Sequence, residues 1–112
     1  MQILIYTDNH IKGGDSANAE VESIVHAAVY RFADRITRIE MHLSDTNGPK
    51  HGAREKRCVM EARLSGLRPI AVADEAPTLL VAIERAADKL KKALEHSMGR
   101  QQESAALPRR GS

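Results

Sequence analysis

Two helical stripes of apolar residues, separated by stretches that alternate with a period of two, constrain what this chain can fold into more than any other feature. Leu79, Leu80, Ile83, Ala86, Ala87, Leu90 and Leu94 recur at three- and four-residue steps. They predict an amphipathic helix that starts at Pro77 or Thr78, runs to about Met98 and finds in Gly99 a residue suited to its C-terminal end. Earlier in the chain Val21, Ile24, Val25, Ala28 and Phe32 share one face of a helix from about Asn18 to Ala33, with Asp15 or Ser16 offered as its cap. Between the two stripes the period switches. Ile39, Met41 and Leu43 alternate with Arg38, Glu40, His42 and Ser44, and Cys58, Met60, Ala62 and Leu64 alternate with Arg57, Val59, Glu61 and Arg63. Each run reads as a strand buried on one face only.

The remaining elements follow from local signals. Gln2 to Thr7 is a β-branched and aliphatic run that ends in a turn at Asp8-Asn9. Asn47-Gly48-Pro49 and Gly52 mark residues 45–56 as an extended hairpin loop, and Ser65-Gly66 marks a turn. Pro69 to Ala73 reads as a short fourth strand, its proline placed at the start, where no ladder donor is lost. Residues 99–112 lack a period and are expected to form a disordered tail behind a single domain at 1–98. The order β-α-β-β-β-α predicts an α/β two-layer fold, an α+β sandwich. Strands two to four form an antiparallel meander, strand one joins strand two in parallel through a helical crossover, and both helices pack on one face of the four-stranded sheet. The other face, with Arg38, Glu40, His42, Arg57, Glu61 and Arg63, is left to solvent.

Composition narrows the function. No apolar run approaches the roughly 20 residues of a membrane-spanning helix, and the N-terminus lacks the pattern of a secretory signal, so a cytoplasmic protein without a membrane partner is expected. The single cysteine, Cys58, cannot close an internal disulfide, which agrees with a reducing compartment. Seventeen basic against fifteen acidic residues leave only +2 overall. Residues 1–48, however, hold four basic and seven acidic side chains, and residues 49–112 hold thirteen and eight, so the chain shifts from −3 to +5. Such polarity concentrates positive potential on part of a nearly neutral molecule. With only 3% aromatic residues, nucleic-acid contact is expected to fall mainly on phosphate.

The element order, together with Arg35-Ile36-Thr37-Arg38-Ile39-Glu40-Met41-His42-Leu43 after the first helix and Ala82-Ile83-Glu84-Arg85-Ala86-Ala87-Asp88-Lys89-Leu90 in the second, resembles the ribosome hibernation-promoting factor family. That family includes the ribosome-associated inhibitors and the sigma-54 modulation proteins. The resemblance spans about residues 1–98 and is that of a short member, without the C-terminal dimerisation domain of longer ones. It implies binding to rRNA in the decoding region of the small ribosomal subunit, occlusion of tRNA and mRNA positions, and a role in translation regulation under stress. The first helix, lysine-rich in other members, carries here only His26, Arg31 and Arg35.

The surface for such contacts is sought first on the second helix. At 100° per residue Arg85, Lys89, Lys92 and His96 fall in one strip, with Glu84, Asp88, Lys91 and Glu95 in the next. A basic stripe suits a phosphate backbone because each bound cation releases condensed counterions. The plainer explanation is a solvated face with pairs such as Asp88–Lys92. A second patch is the open sheet face with its hairpin, carrying Arg38, Lys50, Arg54, Lys56, Arg57 and Arg63; there cross-strand salt bridges to Glu40 and Glu61 are the competing explanation. Tyr30, one turn from His26 on the outer side of the first helix, is a candidate for stacking on an exposed base or for lying along the surface.

Enzymatic readings find no support in these residues. The five histidines occupy different elements without ligand spacing, so no metal site and no cofactor are expected. Cys58 falls on the core face, and neither a phosphate-binding loop nor a nucleophile elbow is present. The expectation is a non-catalytic binding protein acting on the ribosome by occlusion. The alternative is a protein-interaction module that uses the open sheet face or an edge without ribosome binding.

Overall fold

The alternating strands need a cover for their apolar side, and the two stripes supply it. The computed structural model describes the backbone of residues 1–7, 15–45 and 55–106, with side chains described for 1–7, 19–45 and 55–99. Its elements are β1 (Gln2–Thr7), α1 (Asp15–Val29), a 3-10 turn (Tyr30–Phe32), β2 (Ile36–Asp45), β3 (Lys56–Leu64), β4 (Ile70–Ala76) and α2 (Leu79–Ala106). The sheet runs β1-β2-β3-β4. β1 lies parallel to β2, as its crossover helix requires, and β2, β3 and β4 are antiparallel neighbours. This is the two-layer α+β arrangement expected from the periodicities.

The core lies between the sheet and the helices. Ile39, Met41, Met60, Ile83, Leu90, Leu94, Val25 and Val29 are its largest fully buried side chains, and each contributes roughly 1.5–3 kcal/mol by leaving water. Val29 belongs to the α1 stripe although it is absent from the spacing pattern quoted above. α2 approaches β3 and β4 closely and packs against α1. Ala82, Ala86 and Ala87 are buried at that contact, where short side chains let the helix backbone come near the sheet.

β2 carries one irregularity that the alternation alone cannot accommodate. Ile36 and Ile39 are both buried, yet three residues apart they would point to opposite faces of a regular strand. A register shift between Ile36 and Arg38 resolves this by placing Ile36 opposite Leu64 and Arg38 opposite Arg63. Thr37 sits at the bulge, and its hydroxyl donates to the Arg63 carbonyl at 3.1 Å. At the β3–β4 turn Gly66 adopts φ 74°, the left-handed region in which a Cβ is strained.

Element boundaries differ from the sequence reading in four places. α1 begins at Asp15 and ends at Val29, after which the chain tightens into the 3-10 turn, so Tyr30, Arg31 and Phe32 leave the α-helix. β4 begins after Pro69 and continues through Asp74 and Glu75 to Ala76, because both acidic residues find partners described below. Thr78 caps α2: its hydroxyl accepts the Val81 N–H at 3.3 Å. Gly99 does not end α2, which runs to Ala106. An interior glycine costs only about 1 kcal/mol, and the following Gln, Glu and Ala residues favour helix. The Asp8-Asn9 turn, the glycine-rich break and most of the hairpin loop, with Lys50 and Arg54, lie outside the described residues.

Candidate nucleic-acid interface

The predicted basic stripe stands along α2, but two of its members are engaged with the sheet. Arg85 Nη1 donates to the Glu75 carbonyl at 3.0 Å, and Lys89 Nζ donates to the Ala73 carbonyl at 2.9 Å. β4 is an edge strand, so these donors occupy carbonyls that no further strand receives. Lys89 also lies 3.5 Å from the Asp74 carboxylate. Lys92 projects further out and pairs with Asp88 at 3.1 Å, one turn earlier on the helix. His96 is exposed on the same side. Arg31, in the 3-10 turn, reaches across to Glu95 at 3.7 Å and lies 5.5 Å from the Phe32 ring centroid.

The electrostatics of this corner centre on Asp74. Its carboxylate accepts the Glu75 backbone N–H at 2.8 Å, and this bond is the main cause holding its pKa below 3.8; Lys89 and Arg85 add to the effect while burial opposes it. On the inner side of the same strand pair, Cys58 faces Asp74 in register. Burial, reinforced by that carboxylate, pushes the Cys58 thiol up to about 12. It therefore stays protonated at neutral pH and has no nucleophilic character.

The open sheet face is arranged differently from the expected cross-strand pairing. The register sets Arg38 opposite Arg63 and Glu40 opposite Glu61, like against like. Such oppositions are unfavourable unless charges of the other sign intervene. Here they do, along the strands and on the diagonal. Arg38 meets Glu40 at 2.8 Å, Arg63 meets Glu61 at 3.4 Å and Glu40 at 3.8 Å, and His42 Nε2 lies 3.9 Å from Glu40. Arg57 pairs with Glu75 at 2.9 Å, and Lys56 with Asp45 at 3.0 Å. Tyr30 stands 68% exposed at the start of the 3-10 turn.

One feature of this face is absent from the stripe and patch read in the sequence. Tyr6 on β1 stacks on His42 of β2, with ring centroids 4.8 Å apart and planes 16° from parallel. The pairing depends on the parallel register that aligns Tyr6 with His42. No spacing in the sequence encodes it. The predicted residues thus form two groups. Arg85, Lys89, Lys92 and His96 lie along α2, and Arg38, Arg63 and Arg57 lie on the open face. Lys56, expected with them, instead alternates with Arg57 onto the side of the buried Cys58 and pairs there with Asp45.

A family model described as "Sigma 54 modulation protein / S30EA ribosomal protein" matches residues 4–102. Among solved structures, the N-terminal domain of Thermus thermophilus Protein Y superposes with a TM-score of 0.68 at 22% identity, covering 86% of this chain and 98% of that one. A ribosomal subunit interface protein from Coxiella burnetii superposes with a TM-score of 0.72 at 16% identity, covering 88% of this chain and 99% of the other. No curated protein sequence matches.

Proposed function

The chain belongs to the sigma 54 modulation protein / S30EA ribosomal protein family, and from that premise we propose that it associates with the ribosome and holds it idle. In this reading it binds the small subunit in the decoding region, contacts rRNA phosphates and occludes the tRNA and mRNA positions. It acts in the cytoplasm, by occupancy alone, without catalysis or cofactor. Arg85, Lys89 and Lys92 make the principal phosphate contacts, with His96 beside them. Arg57, Arg63, Arg38 and Lys56 contribute from the sheet, and Tyr30 offers a ring at the far end of α1.

The observation that carries the reading is the family match across residues 4–102. The α2 ridge supports it physically. Arg85 and Lys89 hydrogen-bond uncharged carbonyls, and such a bond fixes a cation in place without cancelling its charge, although Lys89 also shares its charge with Asp74 at 3.5 Å. Fixed cations lose less side-chain entropy when a phosphate arrives than free ones do.

Gradient co-sedimentation of the purified chain with ribosomes and separated subunits, at low and high salt, tests this directly, alongside cell-free translation. Salt-sensitive migration with the small subunit and falling translation are expected. Absence from every ribosomal fraction would sink the function, and binding that survives both high salt and nuclease would assign the chain to a protein partner.

A further inference from the structure

We propose that the Tyr6–His42 stack is a docking point for one unpaired base of RNA, which extends the stack on the outer face of the Tyr6 ring. The inference rests on the RNA-binding reading above and adds to it a contact to a base rather than to phosphate.

The geometry sets the direction of the stack. Adjacent strands lie about 4.7–4.9 Å apart, and the two centroids are separated by 4.8 Å with nearly parallel planes. The rings therefore stand upright on the sheet, one per strand, and the stacking axis runs across the strands. On one side of the pair the axis continues over Val59, the register partner of His42, and then over Ala73. On the other side it leaves the sheet, because β1 is the edge strand. Among the described residues the outer face of Tyr6 thus has no neighbouring strand to cover it, in keeping with a residue 46% exposed. A ring held upright by a partner already stacked on it is a preorganised platform for a further flat π-system.

Charge selects the occupant. Row by row along the same face, Arg57 lies in the row on one side of the stack, and on the other side a row with Glu40 and Glu61 is followed by one with Arg38 and Arg63. Arg57 and Arg63 are paired with Glu75 and Glu61 in partly exposed pairs, whereas Arg38 is held at 2.8 Å by Glu40, a side chain only 18% exposed. Exposed pairs are worth about 0–1 kcal/mol, so the Arg57 and Arg63 guanidinium groups can exchange a carboxylate for a phosphate at little cost. An aromatic platform with Arg57 in the neighbouring row and Arg63 two rows away, both in exposed pairs, matches a single-stranded nucleotide, whose base stacks while its phosphates are held. An acidic or apolar peptide would use only one of the two features.

The test uses the full chain in a Tyr30→Phe background, where Tyr6 is the remaining tyrosine of the two in the sequence. Tyr6 ring proton resonances are followed by NMR during titration with short oligoadenylate, and affinity is compared for Tyr6→Phe and Tyr6→Leu, with circular dichroism as the check on folding. Expected are an upfield shift of the Tyr6 ring protons, retention of affinity by Phe, and a loss of about 5- to 150-fold by Leu, the range of one base–aromatic stack. Unmoved ring protons, or equal affinity for Leu and Phe, overturn the inference. Ribosome co-sedimentation of the same variants separates the two proposals. A chain that ignores ribosomes but shows the Tyr6 response retains the platform and loses the ribosomal function. A chain that binds ribosomes without the Tyr6 response does the reverse.

Discussion

The α2 ridge and the open sheet face both present cations, and they differ in what those cations already hold. On the ridge, Arg85 and Lys89 donate to backbone carbonyls of β4. On the face, Arg38, Arg63 and Arg57 meet the carboxylates of Glu40, Glu61 and Glu75. A carbonyl orients a cation and leaves its charge, whereas a carboxylate orients it and cancels the charge. Counting basic residues treats the two surfaces as equivalent. The ridge is not free of carboxylates, since Lys89 also lies 3.5 Å from Asp74 and Lys92 pairs with Asp88 at 3.1 Å. It differs from the face in that Arg85 and Lys89 are held by carbonyls as well, whereas the arginines of the face are balanced by carboxylates into a nearly neutral plate with a ring stack at its edge.

The largest test of that difference is neutralisation of the ridge. Arg85→Gln, Lys89→Gln and Lys92→Gln remove three charges while leaving amide donors near the β4 carbonyls, so the fold should persist. Each lost phosphate contact lowers the slope of log affinity against log salt by about 0.7–0.9. Ribosome binding is expected to weaken strongly at low salt, with a slope reduced by roughly 2–3. The matching triple on the face, Arg38→Gln, Arg57→Gln and Arg63→Gln, should change the slope less. Equal slopes from the two triples would erase the distinction between ridge and face.

A second test separates the structural role of the ridge from its charge. Arg85→Ala with Lys89→Ala removes both donors and leaves the edge carbonyls of β4 to water. The expected cost is about 1–3 kcal/mol for the pair, since each hydrogen bond contributes roughly 0.5–1.5 kcal/mol net. The urea midpoint should fall, and sedimentation should become concentration-dependent as β4 is freed to pair with other edges. The glutamine variants should show neither effect. If they lose as much stability as the alanines, it is charge on the ridge, and not the carbonyl bonds, that holds α2 to β4.

Acid provides a third and smaller test. Asp74 titrates below 3.8 in the folded chain, chiefly because it accepts the Glu75 N–H. A depressed carboxylate stabilises the fold above its unfolded pKa, and that contribution is lost as pH falls through the lower folded value. Stability should therefore decline below about pH 4, and Asp74→Asn should flatten the decline. Urea midpoints across the acid range for the two proteins check this. Identical profiles would mean that ionised Asp74, with its bond from the Glu75 N–H, adds nothing to stability.

These partners also mark where the sequence stops being legible. The six elements and nearly all the core could be read from two periods, because burial on one face leaves its imprint every second or every third to fourth residue. Val29 dropped out of the quoted stripe only because Ala28 beside it fits the same spacing. Asp74 and Glu75 looked like the end of a strand, since acids are depleted there; their partners, Lys89 and Arg57, come from another helix and another strand. Gly99 looked like a stop, because a cap and a tolerated interior glycine are the same letter. Arg85, Lys89 and Lys92 were legible as a stripe, and the β4 carbonyls beneath two of them were not, since a backbone acceptor has no residue type. The Tyr6–His42 stack was hidden for a related reason: it is set by register between strands that a whole helix separates.

The smallest effect bears most directly on whether the open face can take part in binding. Arg57 and Glu75 sit opposite each other across β3 and β4 and pair at 2.9 Å, each about two-fifths exposed. A double-mutant cycle with Arg57→Ala and Glu75→Ala, read by urea denaturation, should give a coupling below about 1 kcal/mol that shrinks further with added salt. A coupling that weak leaves Arg57 free to trade its carboxylate for a phosphate, while Glu75 keeps its charge and turns to solvent. A coupling above about 2 kcal/mol would instead place the pair with the strong buried contacts. Arg57 would then be locked, and only the ridge and the Tyr6 ring would remain to meet the nucleic acid.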